Sequence, residues 1–136
     1  MRFYKVREAI LQGKNITTLP LRVTFYARVS TDSDEQLNSL ENQISYFKEY
    51  ITNNPNWIYV DGYIDEGISG SSVKKRKHFL RMIEDAKSGY FDLIITKEVS
   101  RFSRNLSDSI KYTQELMAND VGVYFQSNGI NTYDPN

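Results

Sequence analysis

Cysteine is absent from the 136 residues of this chain, and histidine occurs only once. Without cysteine there is no disulfide framework, no thiolate metal site and no cysteine nucleophile. No apolar run approaches the roughly 20 residues that a membrane-spanning helix requires. The first residues also lack the apolar core and the small-residue cleavage site of a signal peptide. We therefore expect a cytoplasmic protein that makes no contact with membranes.

Two further features of the sequence limit the kinds of catalysis that the chain could perform. The single histidine, His78, stands beside Phe79 at the start of a predicted helix, where solvation or packing explains it better than catalysis. A histidine-based serine triad is therefore not expected. Neither common glycine-rich phosphate-binding pattern is present. Asp65 and Glu66 are adjacent carboxylates, which a metal-assisted site or an ordinary loop turn would explain equally well.

The composition is that of a folded domain whose charge is balanced overall but not along the chain. Hydrophobic residues make up 40% and aromatic residues 13%, which excludes a disordered polypeptide. The zero net charge argues against a strongly basic DNA clamp. Residues 74–104 contain nine Lys or Arg against four Asp or Glu, and residues 32–66 contain one against eight. This asymmetry fits a phosphate-facing surface, although ordinary solvated helix faces explain it at least as well.

Strand-like and helix-like patterns alternate along the chain. The apolar runs predict strands at 21–28, at 57–60 with an extension toward Ile64, at 92–96 and at 121–125. Helical spacing predicts a helix over 37–51, with Ile44, Phe47 and Ile51 among its apolar positions. It predicts a second helix over 79–86, marked by Phe79, Met82, Ile83 and Ala86, with an end at Gly89. A third is predicted over 107–119 with Leu106, Ile110, Thr113 and Met117 on one face. We expect residues 1–20 to form a leader before the fold, which spans 21–136, and the tail from 128 to end without another element. The alternation predicts an α/β fold with a mostly parallel four-stranded sheet and helices on both faces.

Polar residues suited to phosphate chemistry follow two of the predicted strands. Arg28 and Ser30 come at the end of the first strand, and Arg101 and Arg104 follow the third. Ligands of open α/β sheets bind at the carboxyl ends of the strands, so these residues are expected to converge. Arginine holds phosphate through paired hydrogen bonds. With no histidine partner for the serine, guanidinium groups would stabilise the developing alkoxide and the charge on phosphorus, and Arg76 could join them.

Five motifs in this order resemble the catalytic domain of the serine recombinases, which are the resolvases, invertases and large serine integrases. They are Tyr26-Ala-Arg-Val-Ser-Thr31, Ser39-Leu-Glu-Asn-Gln43, Asp65-Glu-Gly-Ile-Ser-Gly70, Arg76, and Ser100-Arg-Phe-Ser-Arg104. The resemblance spans about residues 21–131, and the first and last motifs are the most specific. It implies a resolvase-like three-layer fold. It also implies attack of a serine on DNA to form a 5′-phosphoserine link, followed by exchange and rejoining of strands between subunits of a homo-oligomer without a metal or nucleotide cofactor.

The resemblance also assigns roles to individual residues. Ser30 would be the nucleophile, with Arg28, Arg101 and Arg104 around the scissile phosphate. The supporting or phosphate-binding positions would be Tyr26, Gln43, Asp65, Arg76 and Ser100.

Three departures from the family pattern stand out. Many members carry an aspartate where this chain has Ser100, and serine cannot act as a carboxylate beside Arg101; Asp65 or Glu98 could compensate. The segment from Asp32 to Leu37 is longer than in small resolvases and looks more like the large integrases. The chain ends where the family's dimerisation helix would begin, so we expect the catalytic domain of a larger recombinase. On its own this domain should be monomeric or weakly associated, bind DNA poorly and show little or no cleavage.

Three hypotheses about function remain open. The first is DNA cleavage and strand transfer by Ser30. The second is a module of the same fold that binds a phosphorylated ligand without covalent chemistry, and the third is a degenerate recombinase in which only the fold is retained. A covalent adduct at Ser30 separates the first from the others. The DNA target sequence is not readable from these residues, because backbone contacts carry no sequence information.

Overall fold

The computed structural model describes residues 2–29, 40–66, 76–103 and 105–135 of the chain, with the side chain of Ser100 excepted. Within these ranges the helices are α1 (Phe3–Leu11), a 3₁₀ turn (Ile16–Thr18), α2 (Leu40–Thr52), α3 (Lys77–Lys87), α4 (Val99–Phe102) and α5 (Leu106–Ala118). The strands are β1 (Arg22–Val29), β2 (Ile58–Tyr59), β3 (Tyr63–Glu66), β4 (Leu93–Thr96), β5 (Gly122–Phe125) and β6 (Ile130–Asn131). No helix in the described part of the chain is long and apolar enough to cross a membrane.

The sheet has the order β2-β1-β4-β5-β6, and β3 also pairs with β1. All pairings are parallel except that of β5 with β6. Helices α1 and α2 pack on one face around Phe25 and Phe47, and α3 and α5 pack on the other around Ile94 and Phe79. The predicted α/β fold with a mostly parallel sheet and helices on both faces is therefore confirmed.

The predicted second strand is divided in two, so the prediction of four strands is wrong. Strand β2 pairs with the start of β1, and β3 pairs with its end. Between them the chain passes close to β1: Thr24 Oγ1 donates to the carbonyl oxygen of Asp61 at 2.9 Å. A Cβ atom on Gly62 would lie 2.3 Å from the ring of Phe25, so only glycine fits this approach.

The tail contains the sixth strand, which the sequence analysis did not predict. A turn over 126–129, with Gly129 at a φ of 63°, leads into β6. Strand β6 pairs antiparallel with β5. Beyond it, Tyr133 is buried and its hydroxyl donates to the carbonyl oxygen of Asp92 at 2.6 Å. The polar tail is therefore ordered by strand pairing with β5 and by the burial of Tyr133, whose contact with Asp92 joins distant parts of the chain.

The segment predicted to be a leader before the fold contains a helix that packs on the core. Phe3 and Val6 of α1 are buried, and the ring of Phe3 stacks on Tyr133 at 4.4 Å. Arg7 donates to the carbonyl oxygens of Thr132 and Tyr133 at 3.1 and 3.2 Å. Helix α1 is therefore part of the packed structure and joins the first residues of the chain to the last.

The helix faces agree with the prediction for α3 and differ for α5. All four apolar residues predicted for α3 are buried, namely Phe79, Met82, Ile83 and Ala86. In α5 the buried residues are Ser109 and Leu116, whereas Leu106 and Ile110 are 72% and 47% exposed. The two buried residues each lie one position before a predicted one, Ile110 and Met117, which corresponds to a rotation of the face by about 100°. In α2 the predicted Phe47 and Ile51 are buried, and Ile44 is 38% exposed.

Gly122→Ala is expected to destabilise the fold. A Cβ atom at this position would lie 2.3 Å from the ring of Tyr133, which the hydrogen bond to Asp92 holds in place. Overpacking of this kind costs about 1–3 kcal/mol in the free energy of unfolding. Urea denaturation measures the loss, and the control is the same substitution in a Tyr133→Ala background, where the clash is absent. An equal loss in both backgrounds would contradict the assignment of the cost to this contact.

Candidate active site

A small cleft opens at the carboxyl ends of β1 and β4. These strands are parallel neighbours, with Val23 opposite Leu93 and Phe25 opposite Ile95, so their ends lie side by side. The lining residues are Tyr26, Ala27, Arg28, Gln43, Phe47, Lys97 and Arg101. The structure thus brings together four residues that the sequence singled out, namely Tyr26, Arg28, Gln43 and Arg101.

Arg101 is held beside Arg28 by contacts along its guanidinium group. Its Nη1 atom donates to the carbonyl oxygen of Arg28 at 3.5 Å, and its Nε atom lies 3.6 Å from Oε1 of Glu98. Both partners of this ion pair are partly exposed, so the pair contributes orientation more than stability. Glu98 is therefore a carboxylate, among the described residues, that contacts an arginine of the cleft.

Beneath the cleft, the carboxylate of Asp65 is buried and accepts three hydrogen bonds. The Tyr26 hydroxyl donates to Oδ2 at 2.8 Å. The backbone N–H groups of His78 and Phe79 donate to Oδ1 and Oδ2 at 3.0 and 3.1 Å, so Asp65 satisfies two free donors at the start of α3. Burial raises the pKa of the Tyr26 hydroxyl well above its usual value, which keeps it neutral and able to donate.

Arg76 is fully buried next to this cluster. Its Nε atom donates to the Tyr26 hydroxyl, and its Nη2 atom donates to the carbonyl oxygen of Arg101, each at 3.1 Å. The guanidinium carbon lies 4.1 Å from the ring centroid of Phe79 and 5.1 Å from that of Tyr26. Arg76 therefore lies below the cleft, where it ties α4 to β1.

Three further site residues that the sequence predicted, Ser30, Arg104 and Ser100, are described only in part or not at all. Ser30 and Arg104 lie outside the described residues. Ser100 belongs to α4, but its side chain is not described. Of the two carboxylates that could compensate for Ser100, Asp65 is fully engaged beneath the cleft, whereas Glu98 reaches Arg101.

Lys97 also lines the cleft, and the sequence analysis assigned it no role. Its position directly after β4 was the available signal, because the same strand-end rule selected Arg28. Among the described residues no group of three His, Asp or Glu is placed to hold a metal ion.

Comparison with known proteins identifies the family of this chain. A family model described as "Resolvase, N terminal domain" matches residues 23–136. The chain belongs to the resolvase family. Helix α1 lies before the matched region. A sequence search of curated proteins finds no significant match.

Three solved structures are similar to this resolvase domain. The N-terminal catalytic domain of TP901-1 integrase matches with a TM-score of 0.70 and 26% identity over 84% of this chain and 83% of that one. A resolvase family site-specific recombinase from Streptococcus pneumoniae matches with a TM-score of 0.66 and 34% identity over 82% and 76%. The C-terminal catalytic domain of ISC1926 TnpA, an IS607-like serine recombinase, matches with a TM-score of 0.63 and 26% identity over 77% and 68%. The domain is therefore of the serine recombinase catalytic type.

Removal of the Asp65 carboxylate is expected to destabilise this resolvase domain strongly. Asp65→Ala leaves the Tyr26 hydroxyl and two backbone N–H groups without their acceptor, at a cost of about 2–4 kcal/mol in the free energy of unfolding. Asp65→Asn keeps one acceptor oxygen and should lose less. Asp61→Ala, which removes an exposed carboxylate nearby, is the control and should stay within about 0.5 kcal/mol of the parent. Equal urea midpoints for Asp65→Ala and Asp61→Ala would show that the carboxylate does not support the fold.

Proposed function

We propose that this resolvase-family domain cleaves and rejoins DNA with Ser30 as the nucleophile. The observation that carries the proposal is the cleft at the ends of β1 and β4, where Arg28 and Arg101 lie together beside Gln43. Ser30 is the residue directly after the last residue of β1, Val29, and two residues after Arg28. A serine hydroxyl next to clustered guanidinium groups suits attack on a phosphodiester.

The proposed reaction conserves the energy of the phosphodiester bond. The Ser30 Oγ atom attacks phosphorus, a bond forms between them, and the bond from phosphorus to O3′ breaks. The products are a 5′-phosphoserine ester and a 3′ hydroxyl, to which the serine proton is transferred in net terms. After strand exchange, a 3′ hydroxyl attacks the phosphoserine, reforms the DNA phosphodiester and releases Ser30. No nucleotide is consumed, because each step replaces one phosphodiester with another.

The arginines have the central electrostatic role in this proposal. Arg28, Arg101 and Arg104 bind the non-bridging oxygens of the scissile phosphate and stabilise the added negative charge on pentavalent phosphorus. Glu98 acts as a positioning residue through its contact with Arg101 Nε. Arg76, Tyr26 and Asp65 support the same region from below through their hydrogen bonds to one another and to the Arg101 carbonyl.

The proposed partners are DNA and further copies of the recombinase, in the cytoplasm. The balanced charge of the chain predicts weak binding of DNA by this domain alone, since few counterions are released. Cleavage is therefore best assayed in a polypeptide that joins this chain to a segment that binds a defined DNA site.

Trapping of a covalent complex tests the proposal. The polypeptide is incubated with a DNA site that carries a nick, so that rejoining is blocked, and the products are separated under denaturing conditions. A protein–DNA band that disappears in the Ser30→Ala variant is expected. Site binding without a covalent band in this polypeptide would contradict the proposal. Binding of a DNA duplex by this chain alone would then favour the ligand-binding hypothesis, and no binding by the folded chain would favour the degenerate one.

A further inference from the structure

Lys97 stands at the mouth of the cleft on a fixed stretch of backbone. Its carbonyl oxygen accepts a hydrogen bond from the N–H of Ser127 at 2.7 Å, and that of the preceding Thr96 accepts one from Gln126 at 2.9 Å. These bonds continue the pairing of β4 with β5 past the end of the strand. The side chain of Lys97 is exposed and lines the cleft together with Arg28 and Arg101.

The charge around Lys97 is unbalanced. In the described part of the chain no carboxylate lies within 4.0 Å of its ammonium group, and the adjacent Glu98 is paired with Arg101 instead. By contrast, Lys87 is paired with both Glu84 and Glu115. Lys97 thus lines the cleft beside Arg28 and Arg101 without a carboxylate partner of its own among the described residues. Like charges held together in this way raise the local affinity for an anion.

We infer that Lys97 binds a DNA phosphate next to the one held by the arginines, which rests on the function proposed above. A lysine is a flexible point charge that can follow a phosphate without a fixed geometry, whereas arginine needs a planar match. Lys97 is exposed and Arg101 only partly so, which suits Lys97 to a phosphate outside the deepest part of the cleft. Its role is to hold the strand, and the bond-breaking step does not require it.

This role predicts a distinct pattern of effects. Lys97→Ala should weaken DNA binding about 3- to 10-fold at low salt and flatten the salt dependence, because one phosphate contact contributes about 0.7–0.9 to the slope of log K against log salt concentration. Lys97→Arg should keep both the affinity and the slope, since it keeps the charge. In a cleaving polypeptide, Lys97→Ala should raise KM with little change in kcat.

The test is a titration of this chain with a 12-base-pair DNA duplex at several salt concentrations. Binding is monitored by the amide signals in NMR spectra, which also show whether each variant is folded. Lys14→Ala is the matched control, because Lys14 is an exposed lysine that precedes the 3₁₀ turn leading into the start of β1, at the opposite end of that strand. The expected result is a weaker affinity and a smaller slope for Lys97→Ala alone.

Arg28→Ala distinguishes a failure of the inference about Lys97 from a failure of the proposed function. If Arg28→Ala weakens binding while Lys97→Ala behaves like Lys14→Ala, the inference about Lys97 is wrong and the proposed site stands. If neither Arg28→Ala nor Lys97→Ala changes the affinity, or if millimolar duplex does not bind at low salt, the cleft is not the DNA site.

Discussion

Replacement of Ser30 by alanine is expected to abolish DNA cleavage. The variant lacks the hydroxyl of the proposed nucleophile, so the rate should fall on the order of 10⁴-fold or more. Loss of one hydroxyl should change the free energy of unfolding by no more than about 1 kcal/mol. Binding to the DNA site should persist, because the segment that binds the site and the proposed phosphate-binding arginines remain. A cleavage assay, a urea titration and a binding assay on the same preparation measure the three quantities.

Ser127→Ala provides the matched control for this experiment. Ser127 is an exposed serine after β5, at the same edge of the sheet, and its backbone N–H donates to the carbonyl oxygen of Lys97. The substitution keeps that bond and should leave cleavage unchanged. Undiminished cleavage by Ser30→Ala would refute the assignment of the nucleophile.

Lysine in place of Arg28, Arg101 or Arg104 is expected to slow cleavage severely. Lysine keeps the positive charge but loses the planar pair of donors that fits two phosphate oxygens. Loss of one transition-state donor of this type costs on the order of 10²–10³ in rate. Single-turnover cleavage measures the effect on the chemical step directly.

Two comparisons make the arginine experiment specific. Arg81→Lys changes an exposed arginine on α3 and should leave the rate unchanged. Lys97→Arg replaces a lysine at the mouth of the cleft by arginine and should also leave the cleavage rate unchanged. Near-normal rates for all three lysine variants would mean that these arginines are structural and that the active site lies elsewhere.

The fold could be predicted from the sequence where local periodicity determines it. The buried face of α3 and the strands β1, β4 and β5 follow patterns that lie within each element. Helix α1 was missed because it is short and its stability comes from contacts with Tyr133 at the other end of the chain. The rotation of α5 was missed for a similar reason, because contact with α3 determines which face of α5 is buried. That face carries Tyr112, whose ring centroid lies 5.1 Å from that of Phe79.

The cleft was predictable in part, because parallel strands deliver their carboxyl ends to one edge. On this basis Arg28 and Arg101 were expected to lie close together although they are distant in sequence, and they are in contact in the structure. The buried position of Arg76 could not be read from the sequence, since it depends on the rings of Phe79 and Tyr26 and on acceptors from two other elements. The capping of α3 by Asp65 is equally hidden, because the carboxylate and the N–H groups that it accepts from are too far apart along the chain for a local motif.

Mapping of the covalent link tests the central claim most directly. The trapped protein–DNA complex is digested with a protease and a nuclease, and the peptide that carries a nucleotide is sequenced by mass spectrometry. We predict a 5′-nucleotide phosphate on Ser30 within the peptide that follows Arg28. A link to any other residue, or cleaved DNA whose 5′ phosphate is free of protein, would contradict the account.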